Sequence, residues 1–392
     1  MKRIEGGICA VSGVRAAGVR HGKYGLALIA ASGTAAGMFT TNRVRAAPLA
    51  VTASNLVGSH LDGIIANSGC ANAYTGPRGL EDARAMARLL ANFLETDEAK
   101  IGVASTGVIG RYLDLGQIKS LFQEASADLR SDGAASLAAE RAIMTTDTRP
   151  KEIAVEHKGL RVAGIVKGAG MIEPNMATML CFLYTDATIS AERLHDCLAD
   201  AVKGSFNMLT VDGDTSTNDT VLITATGRAT GREEDFREAL GYVCTELARM
   251  MARDGEGASK YFEVVVSGAA SERDARLAAK AVARSSLVKT AVYGADPNWG
   301  RIICAVGYSG AEMDPDRISL GLEGESQEGG RLAVSLVERG HIVDGVLDRA
   351  QKIMKGGEII INIDLGLGSA GARGFGCDLT HEYVNVNANY TT

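Results

Sequence analysis

Gly164-Ile165-Val166-Lys167-Gly168-Ala169-Gly170-Met171-Ile172-Glu173-Pro174-Asn175-Met176-Ala177-Thr178-Met179-Leu180 is the stretch on which the reading of this chain turns. β-branched Ile165 and Val166 predict a short strand that ends at Lys167. Gly168 and Gly170 then open backbone conformations closed to other residues. Pro174 fixes one φ angle and discourages helix before it. From Met179 the chain re-enters an apolar run that lasts to Tyr184. Small Ala177 precedes Thr178 at the entry to that run. The pattern suits a sharp turn that presents one hydroxyl beside one cation. On pattern alone it reads as an ordinary turn before it reads as a nucleophile.

Outward from this segment, helices and strands alternate along the chain. Leu80–Leu94 places Ala83, Met86, Ala87, Leu90 and Leu94 on one face. Ser190–Val202 opens on an N-cap serine. Asp235–Met251 carries Phe236, Leu240, Val243, Leu247 and Met250 at helical spacing. Ser271–Val282 opens with a capping-box variant. Tyr261–Ser267 and Glu358–Leu365 read as strands, and Arg161–Val166 and Thr380–Val386 as weaker ones. The class is therefore α/β or α+β, with the strand order unread. Gly366-Leu367-Gly368-Ser369-Ala370-Gly371 matches a dinucleotide fingerprint but lacks a following helix and a later acidic residue. It reads as a tight turn between two strands.

Composition narrows the function. With 41 basic against 47 acidic residues and no basic run, neither nucleic acid nor an anionic membrane is an expected partner. Apolar stretches such as Tyr24–Ala31 fall far short of the roughly 20 residues of a membrane span. The N-terminal segment lacks the apolar core of a signal peptide. Seven widely spaced cysteines without C-x-x-C argue against a disulfide framework or a zinc site and for a reducing, cytoplasmic location. The six histidines show no metal-ligand spacing, so no metal is expected. No Walker A, H-E-x-x-H or G-x-S-x-G pattern is present.

The run Lys167-Gly-Ala-Gly-Met-Ile-Glu-Pro-Asn-Met-Ala-Thr-Met-Leu180 resembles the signature of the ornithine acetyltransferases, the ArgJ-type enzymes. Resemblance extends over the whole chain. It is carried further by Thr40–Arg43, Asn67–Ala73, Ser105–Gly110, Ala142–Thr148, Val211–Asp219, Asp254–Ala258, Asp296–Arg301 and Asn387–Thr392.

The resemblance implies an αββα-type sandwich over residues 1–285 and a smaller C-terminal α+β region over 286–392. It implies that the precursor cuts itself between Ala177 and Thr178, giving chains 1–177 and 178–392 that assemble as two of each. Thr178 is then the nucleophile, with its own new α-amino group as base. Thr106 and Gly107 fall on the oxyanion-hole positions. Thr145, Lys167, Thr178, Glu256, Asn387 and Thr392 fall on substrate-binding positions, with Thr146 an alternative to Thr145. The implied reaction moves acetyl from N2-acetyl-L-ornithine to L-glutamate, releasing L-ornithine, by a ping-pong route through acetyl-Thr178. No cofactor is implied. Acetyl-CoA is a second donor for some members of the family, and no residue decides that point.

The chemistry is coherent with these residue types. A hydroxyl needs a base within reach, and an α-amino group with a reference pKa near 7.7–8.0 is partly unprotonated at neutral pH. Cleavage creates that base. An oxyanion donor is worth about 2.7–4 kcal/mol, and an ammonium suits an α-carboxylate. Two other readings stay open: a hydrolase using the same nucleophile, and a binding protein on the same fold.

Overall fold

The computed structural model describes residues 1–173, 179–325 and 329–389. Ala177, Thr178 and Thr392 lie outside the described residues. The chain divides into two compact units, each built on one mixed sheet.

The first unit comprises residues 1–207 and 214–251. Its strands are β1 (Lys2–Ile4), β2 (Arg15–His21), β3 (Tyr24–Phe39), β4 (His60–Ser68), β5 (Ile101–Ser105), β6 (Glu152–His157), β7 (Leu160–Lys167), β8 (Leu180–Ala187) and β10 (Thr220–Ala229). They lie in the order β1-β6-β7-β8-β10-β3-β4-β5, with β2 paired to the first half of β3. β8/β10 and β4/β5 run parallel, and the other neighbours run antiparallel. β3 is the spine. Its N-terminal half forms a hairpin with β2, its C-terminal half pairs with β10, and both halves pair with β4.

Helices α1 (Ala47–Asn55), α2 (Gly76–Leu94), α3 (Leu115–Ala127), α4 (Gly133–Ile143), α5 (Ala191–Gly204) and most of α6 (Glu233–Arg253) belong to this unit. One core joins Met86 and Leu90 of α2 and Leu121 of α3 to Leu26, Leu28, Ile65 and Val103 of the sheet. A second joins Ala135, Ala139 and Ile143 of α4 to Ile29, Ile165, Phe182 and Tyr184. Alanines on α4 let the helix approach the strands closely, and large side chains from the strands fill the space.

The second unit comprises residues 208–213 and 252–391. Its sheet has the order β14-β13-β12-β15-β11-β16-β9. Those strands are β9 (Leu209–Thr210), β11 (Tyr261–Ala269), β12 (Ser319–Glu325), β13 (Arg331–Glu338), β14 (His341–Ile342), β15 (Glu358–Asp364) and β16 (Ala370–Cys377). Helices α7 (Glu272–Arg284), α8 (Ser286–Tyr293), α9 (Trp299–Gly307), α10 (Leu347–Met354) and α11 (His381–Ala388) complete it.

The α/β class, with two mixed sheets and a smaller α+β region, is what the structure has. Two details differ from the expectations above. The units part at residue 251, not near 285, because β11 is an inner strand of the second sheet, hydrogen-bonded to β15 and β16. Thr380–Val386, expected as a weak strand, is the start of α11. Thr380 caps that helix by accepting from the Glu382 and Tyr383 N–H groups. The four expected helices and the strands at 161–166, 261–267 and 358–365 are present. Within the Gly366–Gly371 segment, residues 366–369 form the turn between β15 and β16, and Ala370 and Gly371 open β16. Among the described residues no helix is long and apolar enough to cross a membrane.

Candidate active site

The decisive stretch begins and ends at one place in the first sheet. β7 finishes at Lys167 and β8 starts at Leu180, and these two residues are partners in the antiparallel ladder. The chain that leaves after Lys167 therefore returns beside it. Met179, the residue after Thr178, donates its N–H to Asp219 Oδ1 at 3.2 Å. Asp219 is fully buried, and among the described residues its other oxygen has no hydrogen-bond partner. Burial pushes that carboxyl well above the usual range, an effect the Met179 N–H and the Thr40 hydroxyl only partly offset.

Lys167 is 2% exposed, so its ammonium must be paired within the protein. Its Nζ donates to Thr145 Oγ1 at 2.8 Å and to Thr106 Oγ1 at 3.4 Å. Of the two neighbouring threonines, Thr145 is the one seen to accept from Lys167. Three of the expected residues, Thr106, Thr145 and Lys167, are thus gathered around one buried cation.

Thr106 follows the last residue of β5 and is held by its own N–H to the Asn67 carbonyl at 2.9 Å. Gly107 next to it has φ of 128°, and a Cβ there would lie 2.4 Å from the Gly69 carbonyl carbon. Only glycine fits that turn. The turn is fastened from outside. Ser105 Oγ donates to Asn67 Oδ1 at 2.6 Å, and the Asn218 amide donates to the carbonyls of Ala71 and Ser105 at 2.6 and 2.8 Å. The Asn67–Ala73 and Val211–Asp219 segments, quoted above without a role, supply these supports.

Behind Lys167 lies Asp147, also fully enclosed. Its Oδ1 accepts from Lys151 Nζ at 2.6 Å and from the Gly168 N–H at 2.6 Å. Its Oδ2 accepts from the Thr145 N–H at 2.9 Å and faces Lys167 Nζ at 3.9 Å. Burial alone would raise the Asp147 carboxyl. The Lys167 and Lys151 ammonium groups outweigh it and hold the carboxyl below its ordinary value. Sequence reading gave Asp147 and Lys151 no role. Their spacing of four residues was the only trace.

Glu256 and Asn387 meet in the second unit. Asn387 Nδ2 donates to Glu256 Oε2 at 2.8 Å. Helix α11 is docked on the loop that carries Glu256. Thr380 Oγ1 donates to the Gly257 carbonyl at 2.7 Å, and a Cβ on Gly257 would lie 2.4 Å from Tyr383 N. The C-terminal helix is thus anchored as far as Asn387.

A family model described as the ArgJ family matches residues 11–392. The chain is 52% identical over 403 residues to a glutamate N-acetyltransferase of Methanothermobacter thermautotrophicus, covering all of this chain and 99% of that protein. It is 48% identical over 383 residues to an arginine biosynthesis bifunctional protein ArgJ of Archaeoglobus fulgidus, covering 97% of this chain and 99% of the relative. A crystal structure of an ArgJ protein from Bacillus halodurans is similar over 53% of this chain and 98% of its own, at 38% identity and a TM-score of 0.48. A family model that spans nearly the whole chain, and relatives matched from end to end, lead to one conclusion: the chain belongs to the ArgJ family.

Proposed function

We propose that this protein is a glutamate N-acetyltransferase of arginine biosynthesis, which cuts itself between Ala177 and Thr178 and then moves acetyl from N2-acetyl-L-ornithine to L-glutamate. The observation that carries the reading is the buried cluster of Lys167, Thr145 and Thr106 at the β7/β8 ladder, where the chain re-enters at Met179. Relatives named for this activity match the chain from end to end.

In the proposed reaction Thr178 Oγ attacks the acetyl carbonyl carbon of acetylornithine, and the Thr178 α-amine takes the hydroxyl proton. The Thr106 hydroxyl and the Gly107 N–H receive the oxyanion. Thr106 Oγ1 already accepts from Lys167, so its own proton is directed elsewhere and is polarised by the cation. The C–N bond then breaks, and the ornithine amine leaves with the proton held by the Thr178 amine. Glutamate attacks the acetyl-Thr178 ester by the reverse sequence. Thr145 and Lys167 serve the substrate, together with Glu256, Asn387 and Thr392. The cut chains, 1–177 and 178–392, stay together as two pairs. A reducing cytoplasm is the proposed location, supported by seven free cysteines.

The test is acetyl transfer in solution. Incubation with N-acetylornithine and glutamate should release ornithine and form N-acetylglutamate in equal amounts. Ornithine and free acetate, formed equally with or without glutamate, would instead make the protein a hydrolase. Acetyl-CoA in place of N-acetylornithine decides whether the second donor is accepted.

A further inference from the structure

We infer that Asp147 is a positioning residue for this reaction: its carboxylate ties the segment carrying Thr145 to the segment carrying Lys167, and balances a second buried ammonium so that Lys167 stays charged where it meets Thr106 and Thr145. The inference rests on the transferase reading and names a residue that reading does not use.

Three contacts carry it. Thr145 donates its N–H to one carboxylate oxygen of Asp147, and Gly168, directly after Lys167, donates its N–H to the other. One carboxylate thus sets the spacing between the two residues that hold hydroxyl and cation together. Its third partner, Lys151 Nζ, is fully enclosed, as Lys167 nearly is. Two buried cations that share one neighbourhood repel each other unless an anion lies between them. Asp147 is that anion, 2.6 Å from one and 3.9 Å from the other.

The other titratable groups facing this cluster do not replace it. Glu140 is buried on α4, accepts from the Lys151 backbone N–H at 3.1 Å, and is pushed up to about 8 by burial. At neutral pH it is largely protonated. Asp219, which interacts electrostatically with Lys167, is pushed well above the usual carboxylate range by its own burial. Among the described residues, Asp147 is the carboxylate that both lysines favour in its ionised form.

Asp147→Asn removes the charge and leaves a group of the same size. With the negative charge gone, Lys167 and Lys151 face each other, and Lys167 gives up its proton more easily. The variant should lose roughly 100-fold in kcat/KM for transfer, the scale of an ångström-level misplacement. The loss should grow as pH rises, because only protonated Lys167 serves the site. Lys151→Met in the same chain removes the competing charge and should return much of the alkaline activity. Far-UV circular dichroism and a thermal melt establish that each variant is folded. A folded Asp147→Asn protein within about twofold of wild type would overturn the inference. So would an equal loss at every pH that Lys151→Met does not relieve. If Asp147→Asn alone fails to fold, the Asp147→Asn/Lys151→Met double variant is compared with Lys151→Met. A lower activity with an acid-shifted profile is then expected, and superimposable profiles would overturn the inference. Wild-type enzyme that transfers no acetyl would retire the proposed function instead, so the two failures are distinguishable.

Discussion

At the scale of single residues, three substitutions separate roles. Thr178→Ala should stop both self-cleavage and transfer, since both need the same hydroxyl. Thr178→Ser should mature and work more slowly, because the hydroxyl survives without the branched Cβ that restricts its rotamer. Electrophoresis and a transfer assay read both outcomes, and a Thr178→Ala protein that still splits would remove the nucleophile from this position. Gly107→Ala must place a Cβ 2.4 Å from the Gly69 carbonyl carbon on a backbone with φ of 128°. The turn that presents the Gly107 N–H should shift, and kcat should fall by about 10²–10³, the scale of a lost oxyanion donor. A variant with unchanged kcat would move the oxyanion donors elsewhere. Glu140 makes a prediction about stability. Burial raises its carboxyl to about 8, with the Lys151 N–H offsetting part of that. Folding therefore keeps a proton that the unfolded chain releases near its ordinary 4.5. The stability tied to that proton is complete below about 4.5 and is lost as pH rises through about 8. Glu140→Gln retains an acceptor for Lys151 and cannot ionise. Between about pH 5 and about pH 9 wild type should lose more melting temperature than the variant. Parallel changes would show that Glu140 titrates normally.

At the scale of elements, what could be read depended on how each one is held. α2, α5, α6 and α7 show apolar periodicity because each buries one face, and two of them also announce their start with Ser190 and Ser271. β7 and β8 were legible through Ile165, Val166 and the run from Met179, so the ladder that brings Lys167 beside Leu180 was half visible in sequence. β3 was not read as a strand, and much of its second half, Ser32 to Gly37, is small residues that set no pattern. α11 was misread because Tyr383, Val384 and Val386 favour strand locally. What makes it a helix is the Thr380 cap and docking on the Gly257 loop, a contact between residues more than a hundred positions apart. Thr380→Ala should therefore cost about 1 kcal/mol and loosen α11. Hydrogen exchange should show faster exchange confined to residues 381–389, with a weaker hold on Asn387 and a higher KM. Unchanged exchange there would mean the helix stands without its cap. Asp147 was missed for a similar reason: its partners Thr145, Lys151 and Gly168 converge only in the fold.

For the whole molecule, family resemblance supplied what periodicity could not: the reaction, and with it the proposed cut and nucleophile. The structure adds two units with mixed sheets, the first holding Thr106, Gly107, Thr145 and Lys167 and the second holding Glu256 and Asn387. A cut after Ala177 leaves β7 on one chain and β8 on the other, still hydrogen-bonded along Val162–Lys167 and Leu180–Thr185. The two chains should therefore copurify and separate only on denaturation. The central claim, that one threonine created by cleavage carries the acetyl group, is tested most directly by intact-mass spectrometry of the purified protein mixed with N-acetylornithine and no glutamate. The account predicts two chains, 1–177 and 178–392, with one added acetyl group on the second that maps to Thr178 and disappears when glutamate is supplied. A single uncut chain that transfers acetyl at full rate, or cut chains that turn over without ever carrying acetyl on Thr178, would contradict it.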